Sequence, residues 1–129
     1  MKNLRLGIIG TGKISAQLAE AARLAGGYTL AALLSRDQAR GEAFAAENGI
    51  ARVFTDEEEF LCAGLDAVYV ATPNCHHAHG AIAAAGHGLH VLCEKPVAAN
   101  AAEWREMRRA AGEQGVVLLE AMRPLHDPL

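Results

Sequence analysis

A chain of 129 residues, 51% hydrophobic, is sized for one domain with a filled core. Its formal charge of −3, with acids and bases interspersed, excludes the basic field that nucleic acid or an anionic membrane requires and leaves a small molecule or another protein as the expected partner. Three cysteines, Cys62, Cys75 and Cys93, are odd in number and lack Cys-x-x-Cys spacing, which argues against a disulfide framework or zinc knuckle and for a reducing, cytoplasmic setting. The apolar run that begins at Leu4 is broken by glycine too soon for a signal segment or a membrane span.

Short apolar runs then alternate with alanine-rich stretches of helical period, the pattern of βαβ units and a parallel sheet. The first strand, Leu4 to Ile9, leads into Gly7-Ile8-Ile9-Gly10-Thr11-Gly12-Lys13-Ile14-Ser15 and an amphipathic stretch to Leu24. That places a glycine-rich turn at a helix N-terminus, where free N–H groups and the helix dipole attract a pyrophosphate. Gly10 permits the tight turn and Gly12 the close approach, so Gly10, Thr11, Gly12, Lys13 and Ile14 are expected cofactor contacts. Ser15 stands where the dinucleotide fingerprint usually has glycine or alanine. The expected fold is therefore α/β: a doubly wound parallel sheet of the Rossmann type, strand order 3-2-1-4-5-6, in a single domain.

After Gly26-Gly27 the second strand runs from Tyr28 to Leu34 and ends on Ser35-Arg36-Asp37. An NAD-preferring site usually has an acid there for the ribose hydroxyls, whereas Ser35, Arg36 and, one helical turn on, Arg40 suit the 2′-phosphate of NADP. The alternative is that Arg36 stacks on the adenine and Asp37 caps the next helix, which leaves NAD open. Gly49 ends that helix, and a third strand is expected over Arg52 to Phe54. Thr55-Asp56-Glu57-Glu58 reads as a capping box with Thr55 as the N-cap, and Glu57-Glu58-Glu59 as carboxylates favoured by a first helical turn.

The fourth strand, Ala67 to Ala71, is a continuous apolar run of the kind buried on both faces, and it ends on Thr72-Pro73-Asn74. His76, His77, His79, His87 and His90 look like ligands by count, but His76 and His79 find no matching Cys/His or carboxylate spacing elsewhere, so no metal site is expected. Beyond Gly86-His87-Gly88 the fifth strand spans His90 to Cys93, with Cys93 directed into the core, and ends on Glu94-Lys95-Pro96. Asn100-Ala101-Ala102-Glu103 opens the last long helix, on which Trp104 and Met107 form a core stripe; Gly115 closes it before a sixth strand from Val116 to Glu120.

The phosphate loop, Thr72-Pro73-Asn74, Glu94-Lys95-Pro96 and Glu120-Ala121-Met122, in this order and at the carboxyl ends of strands, resemble the N-terminal domain of the Gfo/Idh/MocA family. The resemblance implies an NAD(P)-dependent dehydrogenase acting on a sugar, polyol or related alcohol or carbonyl compound. It implies that Thr72, Pro73, Asn74 and His77 lie beside the nicotinamide and its ribose, with His77 alternatively only organising the loop. It further implies Glu94 near the ribose and Lys95 beside the reacting carbon, where an ammonium stabilises negative charge developing on oxygen; the bland alternative is a surface lysine at a strand end.

On the same resemblance, residues 1–122 form the dinucleotide-binding domain and 123–129 begin a connection to a substrate domain that this chain lacks, so catalysis by the chain alone is not expected. The competing expectation is a stand-alone dinucleotide-binding or regulatory module, self-associating as a homo-oligomer through the surface a second domain would cover.

Overall fold

The structure is a computed structural model that describes residues 3–72, 77–94 and 101–121. Its elements in chain order are β1 (Leu4–Ile9), α1 (Lys13–Ala25), β2 (Tyr28–Leu34), α2 (Gln38–Asn48), β3 (Arg52–Phe54), α3 (Glu57–Leu61), β4 (Ala67–Val70), α4 (His77–Gly86), β5 (His90–Glu94), α5 (Ala101–Gln114) and β6 (Leu118–Ala121). The six strands form one sheet in the order β3-β2-β1-β4-β5-β6, every neighbouring pair parallel. The expected Rossmann order is the observed one. The chain winds outward from β1 in one direction and, from β4, in the other, so a crevice opens at the carboxyl ends of β1 and β4, where such sheets bind ligands.

Strand alternation sorts the core into two layers. Ile8 and Tyr69, paired across β1 and β4, belong to the layer containing Leu33, Ala19, Ala22 and Phe44, under α1 and α2. Ile9, Val68, Val70 and Cys93 face the other way, against Ala81, Ala84, Ala85 and Met107 of α4 and α5. The expected placements of Cys93 and Met107 in the core hold, and Trp104 packs half-buried against the same layer. Gly7 serves this second layer: a Cβ there would lie 2.5 Å from Leu65 Cδ1 and 2.7 Å from Phe60 Cζ. Its bare backbone is what lets the fully buried Phe60 ring reach β1.

The buried residues of α1 are Ser15, Ala19 and Ala22, a small-residue stripe at helical spacing. Small side chains bring the helix close to the sheet and hold its N-terminus over the end of β1.

Several boundaries differ from the sequence reading, among them the ends of β4, at Val70 rather than Ala71, and of β6, at Ala121 rather than Glu120. The N-cap of α3 is Asp56, not Thr55; its carboxylate accepts a hydrogen bond from the Glu59 N–H at 2.9 Å. A charged acceptor caps at least as well as a hydroxyl, and the one-residue shift places Glu57, Glu58 and Glu59 together in the first turn. At the other edge, β6 begins at Leu118 because Val116 N–H closes α5 on Ala111 O and Val117 N–H donates to His90 Nδ1 at 3.0 Å. Finally β5 runs one residue further than expected, to Glu94, which pairs with Ala121. The Asn100 cap lies outside the described residues. Among those residues, no helix is long and apolar enough to cross a membrane.

Candidate functional site

A cleft of about 600 Å³ lies at the carboxyl ends of β1, β2 and β4. Its floor is the turn after β1. Gly10 holds φ +115°, and a Cβ there would sit 2.9 Å from the carbonyl oxygen of Ala71, so glycine is required both by backbone angle and by contact. The turn is tied on both sides, Gly10 N–H donating to Leu34 O at 3.2 Å and Ala71 N–H to Ile9 O at 3.0 Å.

Gly12 is the N-cap of α1 and supplies no side-chain cap; no acidic residue occupies the first turn. A Cβ on Gly12 would meet nothing within 4 Å. Helix-initial N–H groups without an internal acceptor, an aligned macrodipole and open space in front form an anion site. Thr11 lines the cleft beside it. Lys13 and Ile14 form the first turn of α1, Lys13 exposed and Ile14 packed against the α1–α2 core layer.

The β2 end of the cleft carries Ser35, Arg36, Asp37 and Arg40. The Ser35 hydroxyl donates to Asp37 O at 2.9 Å and accepts from Asp37 N–H at 3.3 Å, a closed local turn that occupies its proton. Asp37 caps α2, its carboxylate accepting from Arg40 N–H at 3.0 Å. Gly41 belongs to the same arrangement, since a Cβ there would lie 2.8 Å from Ser35 Cβ. The guanidiniums of Arg36 and Arg40 are exposed and engage no partner among the described residues. Positive charge is thus free at this end, while the serine hydroxyl and the aspartate are committed to holding the turn.

At the end of β4, Thr72 lines the cleft, and its buried Oγ1 finds no hydrogen-bond partner among the described residues. A buried hydroxyl left unpaired costs about 1–3 kcal/mol, which a ligand atom at this position would recover. Glu94 ends β5 half-buried and accepts a hydrogen bond from the hydroxyl of the buried Tyr69 on β4. His77 opens α4. Pro73, Asn74 and Lys95 lie outside the described residues.

The opposite wall is made by Thr55, Glu57 and His79, which the sequence reading did not place in a site. Glu57 and His79 meet at 3.1 Å across α3 and α4. In the turn just after α4, His87 stands 3.2 Å from Glu58 of α3, and the Ala83 carbonyl first, then the Glu58 carboxylate, hold its imidazole above the ordinary histidine value. No sequence signal joins these pairs, because their members come from different elements. Tyr69 is also new to the site: the continuous apolar run of β4 shows nothing of the carboxylate at its tip.

The model of an oxidoreductase family with an NAD-binding Rossmann fold, GFO_IDH_MocA, matches residues 4–122. The chain belongs to the Gfo/Idh/MocA family. Among similar proteins, the scyllo-inositol 2-dehydrogenase (NADP(+)) IolU of Bacillus subtilis is 43% identical over 126 residues, covering 97% of this chain and 38% of its own length. The D-xylose 1-dehydrogenase (NADP(+)) 2 of Haloferax volcanii is 41% identical over 127 residues, 98% of this chain and 39% of its own. The crystal structure of an NAD binding oxidoreductase from Klebsiella pneumoniae superimposes with a TM-score of 0.89 at 34% identity, over 98% of this chain and 36% of that one. This Gfo/Idh/MocA chain therefore spans less than half the length of the relatives it matches. Its cleft suits a dinucleotide on three counts of its own: the uncapped α1 N-terminus, the unpartnered Thr72 hydroxyl and the uncommitted guanidiniums.

Proposed function

We propose that this chain is the dinucleotide-binding domain of an NAD(P)-dependent oxidoreductase that moves a hydride between the nicotinamide and a sugar, polyol or related alcohol or carbonyl compound. The observation that carries the reading is the N-terminus of α1, capped by a glycine whose open side faces the cleft. Gly10, Thr11, Gly12, Lys13 and Ile14 bind the pyrophosphate there. The substrate class draws on the relatives named for scyllo-inositol and D-xylose, both polyhydroxylated.

NADP is the preferred cofactor in this reading and NAD the alternative. Arg36 and Arg40 are placed to take a 2′-phosphate in fork geometry, and both curated relatives are named for NADP(+). Ser35 supports them indirectly, through the turn that holds Asp37, rather than as a donor.

When bound, the dinucleotide supplies the hydride acceptor or donor. Thr72, Pro73, Asn74 and His77 line the nicotinamide end. Glu94, held by Tyr69 at the end of β5, contacts the ribose. Lys95, next in sequence, is the proposed catalytic group, whose ammonium stabilises the negative charge that grows on the substrate oxygen. In this reading residues 1–122 form the cofactor domain and 123–129 start the connection to a substrate domain. The exposed Cys62 forms no disulfide among the described residues, which fits the cytoplasmic setting proposed for the chain.

Calorimetric titration with NADP and with NAD tests the assignment. One-to-one binding is expected, tighter for NADP; binding of neither overturns it. In a protein that carries the substrate domain, Lys95→Ala is expected to abolish turnover and leave cofactor affinity within a few fold, and undiminished turnover removes Lys95 from the mechanism.

A second reading, a stand-alone binding module that self-associates, draws on the apolar groove between α1 and the β4–β6 part of the sheet, where Val117 and Leu119 remain exposed. A concentration-dependent dimer in sedimentation favours it, and a monomer at all concentrations favours a groove covered by further polypeptide.

A further inference from the structure

Behind the cleft wall, α3 and the end of α4 bring a carboxylate, a thiol and an imidazole together. Glu58 and Cys62 are four residues apart on one helical face, with Cys62 Sγ 3.8 Å from Glu58 Oε1. His87, 29 residues from Glu58 in sequence, points Nε2 to within 3.2 Å of Oε2 and 3.3 Å of Oε1. The three donor atoms lie within 4.8 Å of one another. Donors bound to one zinc ion at about 2.0–2.3 Å in tetrahedral geometry stand about 3.3–3.8 Å apart, which is nearly the spacing present.

The imidazole is oriented as in a metal site. Its Nδ1 is 2.8 Å from the Ala83 carbonyl oxygen, an acceptor only, so Nδ1 carries the proton. That leaves Nε2 as the ring atom facing the Glu58 carboxylate. Without zinc the carboxylate favours a proton on Nε2, and zinc displaces that proton from the same place. A backbone carbonyl on the far ring nitrogen is the usual means of fixing a metal-binding histidine. The exposed Cys62 thiol stands beside Glu58 as the third donor.

We propose that Glu58, Cys62 and His87 form a zinc site, with water in the fourth position, that clasps α3 to α4. A nitrogen, a sulfur and a carboxylate oxygen are the donors this borderline-soft ion takes. On binding, the Cys62 thiol releases its proton to solvent and the thiolate joins the ion. Because Glu57 and His79 lie on the same two helices and line the cleft, the clasp fixes the wall opposite the α1 N-terminus. The sequence reading, which expected no metal, could compare ligand spacings only along the chain, whereas this set is brought together where the ends of α3 and α4 meet.

The test uses the chain without a polyhistidine tag, stripped of metal and titrated with zinc against a chromophoric chelator, with cobalt absorption in parallel. One equivalent of zinc is expected, its affinity falling about 10-fold or more in Cys62→Ser and in His87→Gln. The cobalt form is expected to show a thiolate-to-metal charge-transfer band that Cys62→Ser loses and His79→Gln keeps. Zinc uptake undiminished in both ligand variants, or no uptake, overturns the site. Should a variant fail to fold, alkylation of the unaltered chain decides: zinc is expected to slow modification of Cys62 as read by peptide mass mapping, and an unchanged rate overturns the proposal.

Discussion

The first three helices start from similar extended backbone and differ in what closes the first turn. The N-caps Asp37 of α2 (φ −118°, ψ 120°) and Asp56 of α3 (φ −103°, ψ 123°) each accept a main-chain N–H. Gly12 of α1 (φ −84°, ψ −176°) offers no side chain at all. Both α1 and α2 begin at the cleft, so charge alone does not choose between them as the seat of a phosphate. The N-terminus of α2 is already occupied by its own carboxylate; that of α1 is open. An aspartate cap stabilises a helix by only a few tenths of a kcal/mol over glycine, so the fold loses little by keeping this end free for an anion.

The sharpest way to break the contrast is to give α1 the cap its neighbours have. Gly12→Asp has room for its side chain and an ordinary φ, so the fold should hold, with stability equal or a few tenths of a kcal/mol higher. Its carboxylate would meet the pyrophosphate as a like charge at contact distance, and a loss of about 100-fold in dinucleotide affinity by calorimetry is expected. Unchanged affinity would move the phosphate away from α1.

Gly10→Ala sharpens the same contrast from the other side. It puts a Cβ at φ +115° and against Ala71 O, and about 2 kcal/mol of stability should be lost in denaturant unfolding. Where Gly12→Asp costs binding and spares the fold, Gly10→Ala costs the fold first.

Arg36→Ala tests the α2 end, where a free guanidinium stands next to a closed cap. NADP affinity should fall about 10-fold, or about 1.4 kcal/mol, with NAD affinity within twofold. An equal loss for both cofactors would mean that Arg36 stacks on the adenine and does not read the 2′-phosphate. At α3, removed from the phosphate, Asp56→Ala should lower stability by about 1 kcal/mol and leave both cofactors bound as before.

These contrasts also mark how far the sequence could be read. The strands, their order and the open glycine turn follow from patterns local in sequence: apolar runs, helical period and glycines at fixed offsets from a strand end. The identity of the α3 cap was off by one because Thr55 and Asp56 are both good caps, and only packing decides which backbone turns first. Ser35 suits a 2′-phosphate by residue type, yet its hydroxyl is spent on the main chain two residues on, which the sequence reading does not foresee. The Tyr69–Glu94 contact and the histidine–carboxylate pairs join elements 22 or more residues apart, so no spacing rule reaches them. Pro73, Asn74 and Lys95 rest on the family motif.

The smallest expected effect lies inside α1 itself. Ser15 holds the position where glycine or alanine would complete the fingerprint; it is fully buried, and its Oγ has no hydrogen-bond partner among the described residues. Removing an unsatisfied buried hydroxyl recovers its desolvation cost, and alanine is the better helix former, so Ser15→Ala should stabilise the chain by up to about 1 kcal/mol. For a domain of this size that is a rise of about 4 °C in Tm. Dinucleotide affinity should stay within twofold, because the anion is held by the main-chain N–H groups of the first turn. Greater stability with weaker binding would instead show that the Ser15 hydroxyl is kept unpaired for the ligand, in the way Gly12 is kept without a cap.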